Sequence, residues 1–249
     1  MTITAPTTDR RLSVPDESLD RWIPGDAAWD LVAVDLYRDI HKGIRSELFS
    51  LTESAGWVDP GNRDDRMALV DHVRATHSLL ESHAHHEDAV IQPVLERELP
   101  DVAERIERDH VALDMVFARI ADVASSLAGD RGARRNCQLL HLDLARFTAD
   151  YLVHIDIEER VLMPSLEQVI GVEAVLGLNA AIISSIPPEE MGRSLALMLP
   201  AMNLEDRCEL LGGMQAGAPP EVFAGVIDLA RSVLRPEQFQ PLATRLELS

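Results

Sequence analysis

The sequence predicts an all-α protein, an up-down-up-down four-helix bundle followed by a C-terminal helical extension. Apolar residues recur at helical spacing in four long runs joined by short connections. Leu and Ala dominate, while aromatic residues make up only 4% of the 249 residues. The stretch "HAHHEDAVIQPVLE", His83 to Glu96, is echoed seventy-one residues later by "HIDIEERVLMPSLE", His154 to Glu167. Both fit His-x3-Glu-x5-Pro-x-Leu-Glu, which places a histidine and a glutamate one turn apart on one helix face.

Taken in order, residues 1–25 are polar and contain proline. They read as an N-terminal arm that docks through Trp22 and the nearby Trp29. The bundle is expected over residues 26–170. Its first helix covers about 27–52, and Gly56, Pro60 and Gly61 break the pattern. Asn62 is a good N-cap for a second helix over about 63–98. Pro100 ends that helix, and Asp101 caps a third that runs to about residue 127. The turn "AGDRGA" leads to a fourth over about 133–170, stopped by Gly171. Pro93 and Pro164 lack the backbone N–H of an inner helical residue and should bend or loosen the second and fourth helices.

Residues 171–249 differ in texture. Short helical pieces alternate with "IPPEE", "LPAMN", "GGMQAGAPPE" and "LRPEQ", where Pro opens helices and Gly closes them. Met191, Met198, Met202 and Met214 lie here, four of the eight methionines. They suit either a small core or an adaptable surface for a partner. The segment reads as an extension or small domain, and a homodimer contact through 171–249 is one expectation for it.

Charge and composition narrow the function. A formal net charge of -19 argues against a general nucleic-acid surface, which needs clustered Lys and Arg. No run approaches the ~20 apolar residues of a membrane span, and no signal peptide is visible, so the expected location is the cytoplasm. Cys137 and Cys208 form neither a CxxC pair nor a disulfide framework, and reduced buried thiols are expected.

The candidate site is a histidine constellation. His83 with Glu87, and His154 with Glu158, each form a two-toothed metal grip one helical turn long. His41 falls on the apolar face of the first helix, with Val34 and Leu48. His110 falls on that of the third, with Ala103, Ile106 and Phe117. The order is therefore a helix with one His followed by a helix with HxxxE, occurring twice. Four inward histidines and two inward carboxylates are costly to bury without a partner, and a metal supplies one. His85 points to solvent, and His86 flanks the ligand face. His72, His77 and His141 read as structural or surface residues.

His41, His83-x3-Glu87, His110 and His154-x3-Glu158 resemble the hemerythrin-like (HHE cation-binding) domain over about residues 27–170. The pattern is similar to the bacterial H…HxxxE…H…HxxxE type. The resemblance implies a four-helix bundle around a non-haem di-iron centre, with Glu87 and Glu158 bridging the irons. Oxygen-carrying members place a fifth histidine one turn after the helix-three ligand. Here that position is Asp114, which could coordinate directly, coordinate through water, face away, or leave a position open. Loss of that imidazole argues against a simple oxygen carrier, and the resemblance to the bacterial type implies chemistry with peroxide, O2 or NO.

Nitrogen and oxygen ligands without thiolate suit two Fe ions, with Mn or Zn as lesser alternatives. Asp150, Asp143 and Glu107 are candidate acceptors for the outer ring N–H of the ligand histidines. Tyr37 and Tyr151, each about one turn before a ligand histidine, could hydrogen-bond a metal-bound species, relay an electron, ligate iron, or simply pack beside the site. Beyond binding or reducing a small oxidant, the sequence leaves three readings open. One is a sensor signalling through 171–249. Another is an oxygenase with that segment as a lid over an organic substrate. The last is a purely structural bundle.

Overall fold

The computed structural model describes residues 32–129 and 131–248. The expected arm, with Trp22 and Trp29, lies outside the described residues. Those described are helical, with no strand among them.

Four long helices make the bundle: α1 (Arg38–Trp57), α2 (Arg63–Val90), α4 (Pro100–Ser125) and α5 (Ala133–Ile157), with the short α3 (Gln92–Glu98) between α2 and α4. Each lays an i, i+3/i+4 stripe inward. Ile44, Leu48 and Leu51 of α1 meet Leu69, Val73 and Leu80 of α2, Phe117 and Ile120 of α4, and Leu140, Leu144 and Phe147 of α5. This apolar layer is continuous and almost fully buried, and it fixes the rotation of all four helices.

Local chemistry sets the boundaries. Asn62 caps α2 as expected, accepting from the Asp64 N–H at 3.0 Å. A cap of this kind contributes about 1 kcal/mol. α1 starts at Arg38, later than the apolar pattern suggested, because Asp35 accepts from the N–H groups of Tyr37 and Arg38 and forms a turn there. It then runs through Gly56, which lies against the His141 ring; a helical glycine weakens a helix without ending it. α3 ends at Glu98, just before Pro100, which also opens α4, and Asp101 sits in the first turn of α4 with no capping bond. Gly171, at φ +80°, does end its helix.

Both prolines follow a departure from regular α geometry, of a different kind in each helix. Before Pro93, α2 breaks at Ile91, whose N–H still reaches the Glu87 carbonyl at 2.7 Å. Before Pro164, α5 passes into a π turn over Glu158–Leu162 and then into α6 (Met163–Ile170). The Met163 N–H donates to the carbonyl of Glu158, five residues back. Pro164 has no N–H to offer Arg160, so the wider turn takes up the slack.

Beyond Gly171 come α7 (Val172–Ser185), α8 (Pro188–Ala201), α9 (Leu204–Gly217), α10 (Pro220–Val233) and α11 (Pro236–Arg245). Leu195, Leu199, Leu211, Ile227 and Leu242 form a second core, which also buries Met198 and Met202. α8 lies close against α1: a Cβ at Gly43 would stand 3.0 Å from Leu197 Cγ. Asp206 pairs with Lys42 and, at 3.6 Å, with Arg38. Among the described residues no single helix is long and apolar enough to cross a membrane.

Candidate metal centre

Six of the seven residues expected to ligate converge between the four bundle helices. His41 comes from α1, His83 and Glu87 from α2, His110 from α4, His154 from α5, and Glu158 from the start of the π turn. In every distance that joins the group, the histidine atom is Nε2. On one side, His41 and His83 stand 3.2 Å apart, with Glu158 Oε2 3.4 Å from His41 and Glu87 Oε1 3.2 Å from His83. On the other, Glu158 Oε1 lies 3.2 Å from His154 and 3.7 Å from His110, while Glu87 Oε2 lies 3.4 Å from His110. Each carboxylate thus turns one oxygen to each histidine pair.

The unsatisfied atoms fit a cation. Both oxygens of Glu87 and of Glu158, and His110 Nε2, are buried without a hydrogen bond. Leaving such groups unpaired is costly, more so when they are charged. Two ring nitrogens at 3.2 Å cannot both present lone pairs, so a proton or a cation must lie between or beside them. Donor atoms from His41, His83, Glu87 and Glu158 fall within 4.8 Å of one another, as do those from His110, His154 and Glu158.

The outer faces of the imidazoles show what the sequence reading missed. Glu159 meets His41 Nδ1 at 3.1 Å and is clamped by Arg45 at 2.6 and 2.8 Å. Asp88 meets His110 Nδ1 at 2.9 Å. Asp109 lies 3.9 Å from His154 Nδ1, an ion-pair distance beyond hydrogen-bond reach. Asp150, Asp143 and Glu107 do not take this role: all three are exposed, and Asp150 pairs with Arg146. A signal was present, because each HxxxE is followed directly by a second acid, Asp88 or Glu159. A residue after the ligand glutamate points about 100° away from it, and that turns it towards the neighbouring helix. The exchange is reciprocal: the first repeat's acid holds the second repeat's lone histidine, and the reverse.

Asp114 takes no place in the group. Its side chain is 61% exposed and lies 3.7 Å from His77. His77 stacks on Phe117, His72 is bound to Glu47 at 2.9 Å, and His141 Nδ1 lies 3.2 Å from the Thr52 carbonyl. His85 is exposed. His86 joins α2 to the C-terminal helices, meeting Ser185 at 2.9 Å and Glu190 at 3.0 Å. Both tyrosines are buried beside the group, with ring centroids 5.0 Å apart for Tyr37 and His41 and 5.6 Å for Tyr151 and His154.

Electrostatics in the metal-free protein follow from these contacts. Burial pushes the Tyr37 and Tyr151 phenols well above their usual range, and the charges of Glu87 and Glu158 push the same way. Burial also lowers His83, to about 4. Burial opposes protonation of His110 too, but the bond to Asp88 and the charges of Glu158 and Glu87 outweigh it and raise the group to about 12. His154 rises to about 9, with Glu158 overcoming burial. Burial works to raise Glu159, yet His41 and Arg45 hold it down at about 2.

Sequence comparison bears on the same residues. A family model described as the hemerythrin HHE cation binding domain matches residues 32–166, more than half of the chain. The chain belongs to this family. No curated protein and no solved structure matches it significantly. As a hemerythrin-family protein it carries a cation-binding domain, and the convergent His/Glu group lies within the matched span. Cys137 and Cys208, one buried and one half-buried, belong to neither donor group.

Two hollows reach this hemerythrin-family site. One, of about 290 Å³, opens between α2 and α4 and is lined by His77, Glu81, Asp88, His110, Asp114 and Tyr151, among others. Another, of about 730 Å³, lies between α1, α2 and the helices α7 to α9, and Tyr37, His83 and Glu87 form part of its wall.

Proposed function

We propose that this hemerythrin-family protein holds two iron ions and uses them to bind or reduce a small oxidant, O2, peroxide or NO. The observation that supports it best is the splitting of Glu87 and Glu158, each with one oxygen towards His41 and His83 and the other towards His110 and His154. His41 and His83 would hold one ion, His110 and His154 the other, with the two carboxylates between them. The ligand chemistry, imidazole and carboxylate without thiolate, suits iron. A bound iron pair would supply one electron per metal to the oxidant.

The chain's own residues do the rest. Glu159 and Asp88 accept the Nδ1–H protons of His41 and His110, which leaves Nε2 as the ring atom that a metal would take. The buried phenols of Tyr37 and Tyr151 keep their protons beside the centre and are available as hydrogen-bond donors. The smaller hollow, walled by His110 and Tyr151, gives a small polar molecule a route from solvent. Phe117 and Phe147 border that route and limit the water that follows.

The test is consumption of peroxide, O2 and NO by protein reconstituted with iron or with zinc. Iron-dependent consumption, absent with zinc, is the expected result. Equal rates with both metals, or no reaction of the iron form with any of the three oxidants, would reject this reading.

A further inference from the structure

The 730 Å³ cavity differs from the smaller hollow in chemistry as well as size. Leu36, Ile40, Leu79, Ile182, Leu195 and Met198 represent its largely aliphatic wall. Met191 and Met214 add flexible thioethers, which adapt to irregular shapes. Its volume falls within the ~300–1,000 Å³ typical of small-molecule sites.

Apart from Glu87, whose oxygens belong to the candidate metal centre, the charged residues along this wall are already engaged. Glu47 binds His72 and Thr76, and Asp39 binds Arg38. Glu190 binds Ser82 and His86, and Arg193 binds Glu189 at 2.8 Å. Ser78, Asn179 and Ser194 also line the cavity, and among the described residues their side chains make no hydrogen bond. Three uncommitted neutral polar groups in an aliphatic wall suit a molecule that is mostly hydrocarbon with one neutral polar end. A carboxylate would face Asp35, Asp39, Glu47, Glu87 and Glu190, and would find in Arg193 a guanidinium already engaged.

The cavity also needs both parts of the chain. α1 and α2 form one wall, and α7, α8 and α9 the other. α7 is apolar yet mostly exposed, with Val175 its one buried residue among those described, so it contributes little to either core. Its Ile182 and Ile183, with Ile186 just beyond its end, line the cavity, and His86 ties that end to α2 through Ser185.

We propose that this cavity binds an uncharged, mainly aliphatic molecule with one hydrogen-bonding group, such as an alcohol or ketone, seated against the His83–Glu87 side of the candidate metal centre. Binding itself needs no metal; only the meaning of that position rests on the di-iron reading. The C-terminal helices then serve as a binding wall.

The experiment uses the full-length protein, metal-free and iron-loaded, titrated with the neutral dye Nile red. The dye is then displaced with 1-dodecanol, dodecanoate or dodecylammonium. Saturable dye binding is expected in both forms, with the alcohol at least about tenfold more effective than either ion. Ser194→Trp within the wall, and Ser78→Trp at its exposed edge, should each weaken dye binding by about tenfold while circular dichroism and iron content stay unchanged. No saturable binding overturns the proposal, as does wild-type binding in both variants, or stronger displacement by either ion. Dye binding with no iron retained would leave the cavity standing and reject the di-iron reading; the converse would reject the cavity alone.

Discussion

Glu159 holds His41 through an Nδ1 contact of 3.1 Å, although the two residues lie 118 positions apart in the chain. Arg45, one turn after His41, grips both oxygens of the same carboxylate. The imidazole is thereby fixed in rotation and tautomer. Glu159→Ala removes that hold without removing a ligand atom. Loss of such outer contacts lowers metal affinity by about 10–100-fold, and Asp88→Ala should act similarly through His110. Competition with a chromophoric chelator measures both, and unchanged affinity in Glu159→Ala would count against the assignment.

Metal loading should release protons. His110 and His154, raised to about 12 and about 9, are protonated in the metal-free protein at neutral pH. A metal needs their bare nitrogens, so loading should expel about two protons per chain. An indicator dye in weak buffer reads the release directly. Less than one proton would show that the histidines were already neutral or do not ligate.

The same shifts set a pH dependence. Both folded values exceed the ordinary histidine value of about 6.5. Their stabilisation is therefore complete below pH ~6.5 and is lost as pH rises through about 9 and then about 12. His83, lowered to about 4, acts oppositely: its penalty is full below pH ~4 and gone above ~6.5. The Tm of the metal-free protein should therefore fall between pH 7 and 10, and metal loading should flatten that slope. A metal-free Tm that rises over this range would contradict the pairing.

Pro164 supports the π turn that begins at Glu158. Pro164→Ala restores an N–H that can reach the Arg160 carbonyl and favours a plain α-helix there. Rewinding the turn would rotate α5, and Glu158 with it, relative to α6 and so shift the carboxylate within the group. Expected is a well-folded protein of equal or higher Tm with about tenfold weaker metal binding, a loss well within the cost of a small misplacement of a ligand. Wild-type affinity would mean that the turn is not needed to aim Glu158.

Much of this was legible in the sequence because helical geometry is periodic. The HxxxE repeat and the apolar stripes led to the bundle and to the convergence of His41, His83, Glu87, His110, His154 and Glu158. Contacts between helices were less legible. Asp88 and Glu159 stood beside the ligand glutamates, yet which histidine each would reach depended on the packing of α2 on α4 and α5 on α1. Asp114 had the right helical spacing from His110, but helix rotation turned it towards His77 and solvent. The start of α1 followed a local Asp35 turn that the apolar pattern cannot report. The aliphatic cavity needed the docking of α8 on α1 at Gly43, a close approach that a lone glycine in a helix does not announce.

The tyrosines offer an independent check, since Tyr37 and Tyr151 are the two in the chain. Both phenols are raised above 10, by burial first and then by Glu87 and Glu158. Absorbance at 295 nm, followed in metal-free protein while circular dichroism remains native, should show neither ionising near pH 10. Titration at the ordinary value would place the phenols in solvent and away from the carboxylates.

Metal content with spectra of the reduced and oxidised forms tests the central claim most directly. Purified under reducing conditions and reconstituted with ferrous iron, the wild-type chain should retain about two irons after gel filtration, while His83→Ala and Glu158→Ala should each lose at least about one. Oxidation should change the spectrum of the wild type and much less that of the variants. Retention of wild-type metal content by both variants, or no iron in the wild type, would contradict the site.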